Sequence, residues 1–154
     1  MDQKLINTLM KTSCGFVIYC EGSNEILLGR ETNSNNFWSI PKGGKEDGEN
    51  SIEAALRELY EESNISKEFI KSCNVFELKS QMYGSKRKRL VPFLAICKTK
   101  PDDLKCNSYF TDSSGKSLPE FSKLQWFDFD AVLNGEVKVH GTQMKCFFEA
   151  KEKI

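Results

Sequence analysis

GGKEDGENSIEAALRELYEESNI, from Gly43 to Ile65, is the stretch that decides the fold. It sets seven acidic side chains behind a glycine pair and ends in Arg57-Glu58-Leu59-Tyr60-Glu61-Glu62 ahead of Ser63 and Asn64. Gly43, Gly44 and Gly48 predict a turn that runs straight into a helix. Asn50, with Glu53 three residues on, has the form of a capping box and starts that helix, which runs to Ser63 or Asn64. A step of about 100° per residue places Glu61 and Glu62 within about 60° of Glu58, on one acidic stripe. Ile52, Ala55, Leu56, Leu59 and Ser63 gather on a separate stripe, at the spacing that seats a helix on a core. Like charges so placed repel one another and weaken the helix. A solvated face is the bland account of such a run. A hard divalent cation with oxygen ligands is the chemical one, because it offsets the repulsion.

Starting from Gly43 the chain reads G-x5-E-x7-R-E-L-x-E-E-x-N-I, with Glu49, Arg57, Glu58, Leu59, Glu61, Glu62 and Ile65 in place. This resembles the Nudix box, the signature of hydrolases that cleave nucleoside diphosphates linked to another moiety. One fixed position departs: Asn64 stands where the box has glycine. That residue closes the helix in a left-handed conformation, which asparagine tolerates better than other side chains. The resemblance implies that Glu58, Glu61 and Glu62 bind Mg²⁺ or Mn²⁺, with the carbonyl of Gly43 as a further ligand. It also implies that one of them, or a glutamate on a nearby loop, deprotonates the attacking water. Arg57 would orient a neighbouring glutamate and tie the helix to the glycine loop. Glu49 would reach the metal through water.

Three features outside the box bear on substrate. Pro41-Lys42-Gly43 resembles the corresponding segment of Nudix enzymes acting on diadenosine polyphosphates. The stretch Met82 to Lys88, with Tyr83 and Lys86, is similar to the loop by which those enzymes hold the phosphate chain. Glu120 precedes Trp126 by six residues, as a glutamate precedes a tryptophan in the same subfamily. The resemblance therefore implies catalytic roles for Glu58, Glu61, Glu62, Arg57 and Glu120, and substrate binding by Lys42, Tyr83 and Lys86. Asymmetric hydrolysis of a dinucleoside polyphosphate is the expected activity. The alternatives are removal of pyrophosphate from the 5′ end of RNA, hydrolysis of ADP-ribose or a nucleotide sugar, and an inactive nucleotide-binding module.

Composition fits a small enzyme. The 154 residues suit one domain spanning 1–154. Lys plus Arg and Asp plus Glu number 22 each, leaving no global charge to draw the protein onto DNA or an anionic membrane. Locally the balance splits: residues 42–62 carry seven acids against three bases, whereas 79–89 carry Lys79, Lys86, Arg87, Lys88 and Arg89 with no acid. No stretch approaches the roughly 20 apolar residues of a membrane span, and MDQKLINTLMKTS lacks the apolar run of a signal peptide. Six irregularly spaced cysteines without a C-x-x-C pair read as reduced thiols. The expectation is a cytoplasmic protein, monomeric or homodimeric, acting on a nucleotide-type small molecule or an RNA 5′ end. His140, the one histidine, reads as a surface or loop residue.

Turn residues and apolar runs predict strands over Cys14–Cys20, Glu25–Arg30, Phe37–Ile40, Val75–Met82, Leu90–Lys98 and Lys123–Phe129. Pro92 inside the fifth of these predicts an edge position or a bulge. Asp102–Leu118 reads as a mobile loop, Asp130–Leu133 as a helical turn, and Thr142–Lys153 as a closing amphipathic helix. This order is α+β with a mixed sheet. The family resemblance sharpens it to an α/β/α sandwich around a central mixed β-sheet.

Overall fold

A computed structural model describes residues 10–84 and 87–154. The first strand, β1 (Lys11–Cys20), follows from CGFVIYC, an apolar run with no polar alternation. Successive side chains point to opposite sides of a sheet, so such a run must be covered on both. Phe16 and Ile18 pack on one face with Leu27, Ala55, Leu59 and Ile65. Val17 and Tyr19 pack on the other with Ile26, Leu28, Ile40, Phe129 and Phe147.

The remaining strands are β2 (Glu25–Glu31), β3 (Trp38–Ser39), β4 (Lys42–Gly44), β5 (Asn74–Glu77), β6 (Gln81–Tyr83), β7 (Lys88–Cys97), β8 (Tyr109–Thr111), β9 (Ser117–Pro119) and β10 (Phe121–Asp128). The helices are α1 (Ser51–Ser63), α2 (Lys67–Lys71), α3 (Phe129–Leu133) and α4 (Gly141–Lys153). The main sheet runs β10-β2-β1-β7-β5, with β3, β4 and β6 pairing off it. It is mixed, since β1 and β7 are parallel over their whole lengths and the other pairs are antiparallel. Helix α1 covers one face and α3 and α4 the other, which makes the α/β/α sandwich.

One edge of β1 is shared by two partners. Tyr19 and Cys20 pair with β2, while Ser13 to Gly15 pair with β4. The sheet opens between them, and the cleft described below lies at that opening. Gly15 permits the second pairing, because a Cβ there would stand 2.6 Å from the carbonyl oxygen of Pro41.

Several expectations change. Strand β7 is interior, flanked by β1 and by β5 and β6, so Pro92 does not mark an edge. The expected strand Val75–Met82 is instead β5 and β6, interrupted at residues 78–80, and the break falls opposite Pro92. The Pro92 carbonyl still accepts from Leu78 N–H at 2.9 Å. Proline lacks the donor that an unbroken ladder needs, and the neighbouring strand gives way there. Residues 102–118 contain the first strand of a two-stranded hairpin, β8–β9, rather than loop alone. Helix α2, capped by Ser66 accepting from Phe69 N–H, has no counterpart in the sequence expectations. Among the described residues no helix is long and apolar enough to cross a membrane.

Candidate active site

Helix α1 is fixed at both ends. At its start Asn50 Oδ1 accepts from Glu53 N–H at 2.9 Å and Glu53 Oε1 accepts from Asn50 N–H at 3.3 Å, completing the expected capping box. At its end Asn64 is left-handed, with φ 67°, and its N–H donates to Tyr60. The side chain does what a glycine could not: Nδ2 donates to the Asp103 carbonyl at 2.8 Å and Oδ1 accepts from Asn107 at 3.2 Å. The departure from the box thus ties the helix end to the following loop, where Asn107 N–H also donates to Glu61 O at 2.7 Å.

Arg57 holds the acidic face in place. Its Nε and Nη2 donate to the two Glu49 oxygens at 2.7 and 3.0 Å, and Nη2 also donates to the Gly44 carbonyl at 2.8 Å. Nη1 donates to Glu58 Oε1 at 2.9 Å and to Glu61 at 3.3 Å. The planar guanidinium fork makes this bridging possible. The Arg57 bonds, with the Glu46 N–H, hold Glu49 down at about 2. Both Glu49 oxygens are therefore engaged by Arg57.

Glu58 and Glu62 are buried, at 8% and 6% exposure. Burial raises the Glu58 carboxyl above its ordinary value, and the Glu61 charge adds to this against the pull of Arg57. Burial likewise pushes Glu62 up to about 9, opposed by the Lys42 backbone N–H at 2.9 Å and reinforced by the charges of Glu58 and Glu120. Glu61 is more open. Gly43 is where the strand and helix meet, since a Cβ there would lie 2.1 Å from Glu58 Cδ. Glycine is the residue that lets this carboxylate lie against the backbone.

The expected residues largely converge. Lys42, Glu62 and Glu120 line one recess of about 180 Å³, with Glu31, Phe110 and Phe121. The Glu120 backbone is clamped there, its N–H donating to Ser108 and its carbonyl accepting from Thr32. A second recess of about 320 Å³ adjoins it across Lys42 and is lined by Tyr83, Leu90, His140, Thr142 and Gln143. Lys42 Nζ stands 5.9 Å from the centre of the Tyr83 ring, and the Tyr83 hydroxyl is 3.1 Å from Ser13 Oγ. Lys86 lies outside the described residues.

Some residues at the cleft carry no sequence signal. His140 lies in the loop before α4, as expected, with its Nε2 2.6 Å from Glu31 Oε1 and its ring stacked on Phe37 with centroids 4.3 Å apart. Gln143 is buried and braces the strand entering Pro41, accepting from Ile40 N–H and donating to Ser39 Oγ, both at 2.9 Å. A buried glutamine on the closing helix was the one available hint, visible only once the helix face is known.

The family model described as the NUDIX domain matches residues 11–148. The chain belongs to the NUDIX family. This Nudix hydrolase is similar to an RNA pyrophosphohydrolase of Pelagibacter ubique, 26% identical over an alignment covering the whole chain and 97% of the relative. Its fold is shared with a Caenorhabditis elegans Ap4A hydrolase, at 22% identity and TM-score 0.67, over 91% of this chain and 96% of that one. A bifunctional NMN adenylyltransferase/ADP ribose pyrophosphatase of Francisella tularensis, solved with AMP and a manganese ion, aligns at 14% identity and TM-score 0.66, over 93% of this chain and 42% of that one. Nudix enzymes generally use divalent metal ions and bind nucleotide-type substrates.

The donor set fits such an ion. Two buried carboxylates face each other's charge with few hydrogen-bond donors, and Gly43 clears the backbone beside one of them. Among the described residues no three acidic, histidine or cysteine side chains already form a closed ligand cage. Arg57 instead draws Glu58 and Glu61 toward itself.

Proposed function

We propose that this Nudix hydrolase removes pyrophosphate from the 5′-triphosphate end of RNA. The observation that carries the reading is the likeness to an RNA pyrophosphohydrolase along the full length of both chains, not over the box alone. Glu58, Glu61 and Glu62, with the Gly43 carbonyl, would hold Mg²⁺ or Mn²⁺. Bound there, such an ion would supply charge neutralisation of the phosphates and a lowered pKa for a water molecule. Arg57 fixes Glu58 and Glu61, and Glu120 accepts the proton of the attacking water from the wall facing Glu62. Lys42 and Tyr83 grip the phosphates beyond the scissile bond. A charge-assisted contact of this kind contributes roughly 1.5–3 kcal/mol.

A second reading, asymmetric hydrolysis of diadenosine tetraphosphate, is favoured by the placing of Lys42 over Tyr83 at the junction of two recesses. The bond broken is chemically the same. A panel of 5′-triphosphorylated RNA, diadenosine tetraphosphate and ADP-ribose, compared by kcat/KM with Mg²⁺ and with Mn²⁺, separates the two. Pyrophosphate release from RNA is expected to dominate. Cleavage of the dinucleotide to ATP and AMP, without release from RNA, overturns the first reading in favour of the second. In ¹⁸O-labelled water one product alone is expected to take up label in a single turnover, as direct water attack requires.

A further inference from the structure

A third recess, of about 680 Å³, lies on the α1 side of the sheet and is bordered by Lys11, Lys45 and Arg89. We infer that it binds a phosphodiester group of the RNA chain downstream of the 5′ triphosphate, an inference that rests on the RNA reading above.

The register explains why the recess exists. Cys14 pairs with Gly43 on one side and Val91 on the other, and this row lies beneath α1, where Gly43 meets Glu58. Two residues back along β1, Thr12 pairs with Arg89 and its carbonyl accepts from Lys45 N–H at 2.9 Å. Side chains alternate along a strand, so Lys45, Thr12 and Arg89 face the same way as the Gly43 row. They stand about 7 Å from it, at roughly 3.3 Å per residue. Helix α1 begins only at Ser51, so this outer row is bordered by the loop of residues 44–49 and not by the helix, and the recess lies between the two.

The charges there are arranged for an anion. Among the described residues Lys11, Lys45 and Arg89 make no ion pair, and Arg89 Nε is buried without a hydrogen-bond partner. Glu46, Asp47 and Glu49 also border the recess. Glu49 is bound by Arg57 at 2.7 Å and Glu46 lies 3.7 Å from the same guanidinium, so two of the three acids already face a cation. A buried donor without a partner is costly; Nε is out of solvent contact, and a phosphate oxygen would satisfy it once the Arg89 side chain turns into the recess. The position, one sheet row beyond the proposed metal-binding edge, suits a phosphate of the same chain whose 5′ end is being cut. A mononucleotide has no group to place there.

The test replaces Lys45 and Arg89 together by Gln, with Lys45→Gln alone as a variant at an exposed position that leaves the fold untouched. On a 5′-triphosphorylated oligoribonucleotide of several residues, the double variant is expected to raise KM by tenfold or more at low salt. Hydrolysis of a nucleoside triphosphate should change by less than twofold. The slope of log KM against log salt should shrink by about 0.7 for each charge removed. Equal losses on the mononucleotide, or an unchanged salt slope, overturn the inference. Binding of the 5′-monophosphorylated product, followed by fluorescence anisotropy, separates the two levels of the argument. If the wild-type protein binds this product with the predicted difference from the variants but releases no pyrophosphate from RNA, the site stands and the proposed activity falls. If the variants lose affinity for inorganic pyrophosphate and not for the oligonucleotide, the recess holds a free anion and the inference falls.

Discussion

Replacing Glu62 by Gln should alter how stability depends on pH in the metal-free protein. Glu62 is 6% exposed and accepts one hydrogen bond, from Lys42 N–H, while Glu58 and Glu120 add negative charge nearby. Its carboxyl is pushed up to about 9, against an ordinary value of 4.5. Between those values the folded protein holds a proton that the unfolded chain has released. The contribution is therefore fully present below about pH 4.5 and is lost as pH rises through about 9, at up to about 1.4 kcal/mol per pH unit. For a chain of this size that is roughly 3–5 °C in Tm per unit. Gln keeps the shape and can still accept from Lys42 N–H, but carries no charge at any pH. Melting in EDTA from pH 5 to 8.5 should show wild-type Tm falling and the Glu62→Gln curve markedly flatter. Saturating Mg²⁺ should raise the wild-type curve by linkage, most at high pH, and the variant far less. Turnover of the variant should fall by about a thousandfold, equivalent to roughly 4 kcal/mol of barrier. Parallel pH profiles for the two proteins would refute the burial argument.

Gly43→Ala should cost at least a hundredfold in kcat and weaken the Mg²⁺-induced rise in Tm, because the new Cβ would stand 2.1 Å from Glu58 Cδ and force that carboxylate away; near-normal turnover would show that Glu58 has room to move. Arg57→Lys keeps the charge but cannot bridge Glu49, Gly44 and Glu58 at once, so urea unfolding should show a loss of roughly 1.5–3 kcal/mol. Asn64→Gly relieves a left-handed residue yet removes the bonds to Asp103 and Asn107, and Tm should drop by about 2–4 °C for a net loss near 1 kcal/mol; a rise in Tm would mean that backbone strain outweighs those bonds.

Much of this architecture is legible from local chemistry. The capping box at Asn50 and Glu53, the left-handed close at Asn64 and the two-faced burial of β1 each depend on a few neighbouring residues. What failed was non-local. Pro92 reads as an edge signal because proline removes a donor, but the sheet answered by breaking the partner strand at residues 78–80, which cannot be seen without knowing the partner. The hairpin β8–β9 depends on cross-strand pairs between short polar segments with no apolar alternation. At the candidate site, motifs point to the box residues and to Lys42, Tyr83 and Glu120. They do not point to Glu31, His140 and Gln143, whose contacts form only when the chain around the start of α4 packs back against β2 and the segment of Ser39 and Ile40.

Glu49 and Glu62 belong to the same acidic run, and charge pattern alone treats them alike. Glu49 receives Arg57 through both oxygens as well as the Glu46 N–H, and it is held down at about 2. Glu62 receives one backbone N–H, lies among other carboxylates, and is pushed up to about 9. The first is a strut whose charge the fold has already satisfied. The second keeps oxygen lone pairs without partners at the wall of a recess, a state that costs stability and that a bound cation would relieve. Arg57 connects the two: by neutralising Glu49 it anchors the glycine loop, and by reaching Glu58 and Glu61 it holds those acids within one helical turn of Glu62. The opposite directions of these two shifts, more than the number of acids in the run, distinguish Glu49 from Glu62.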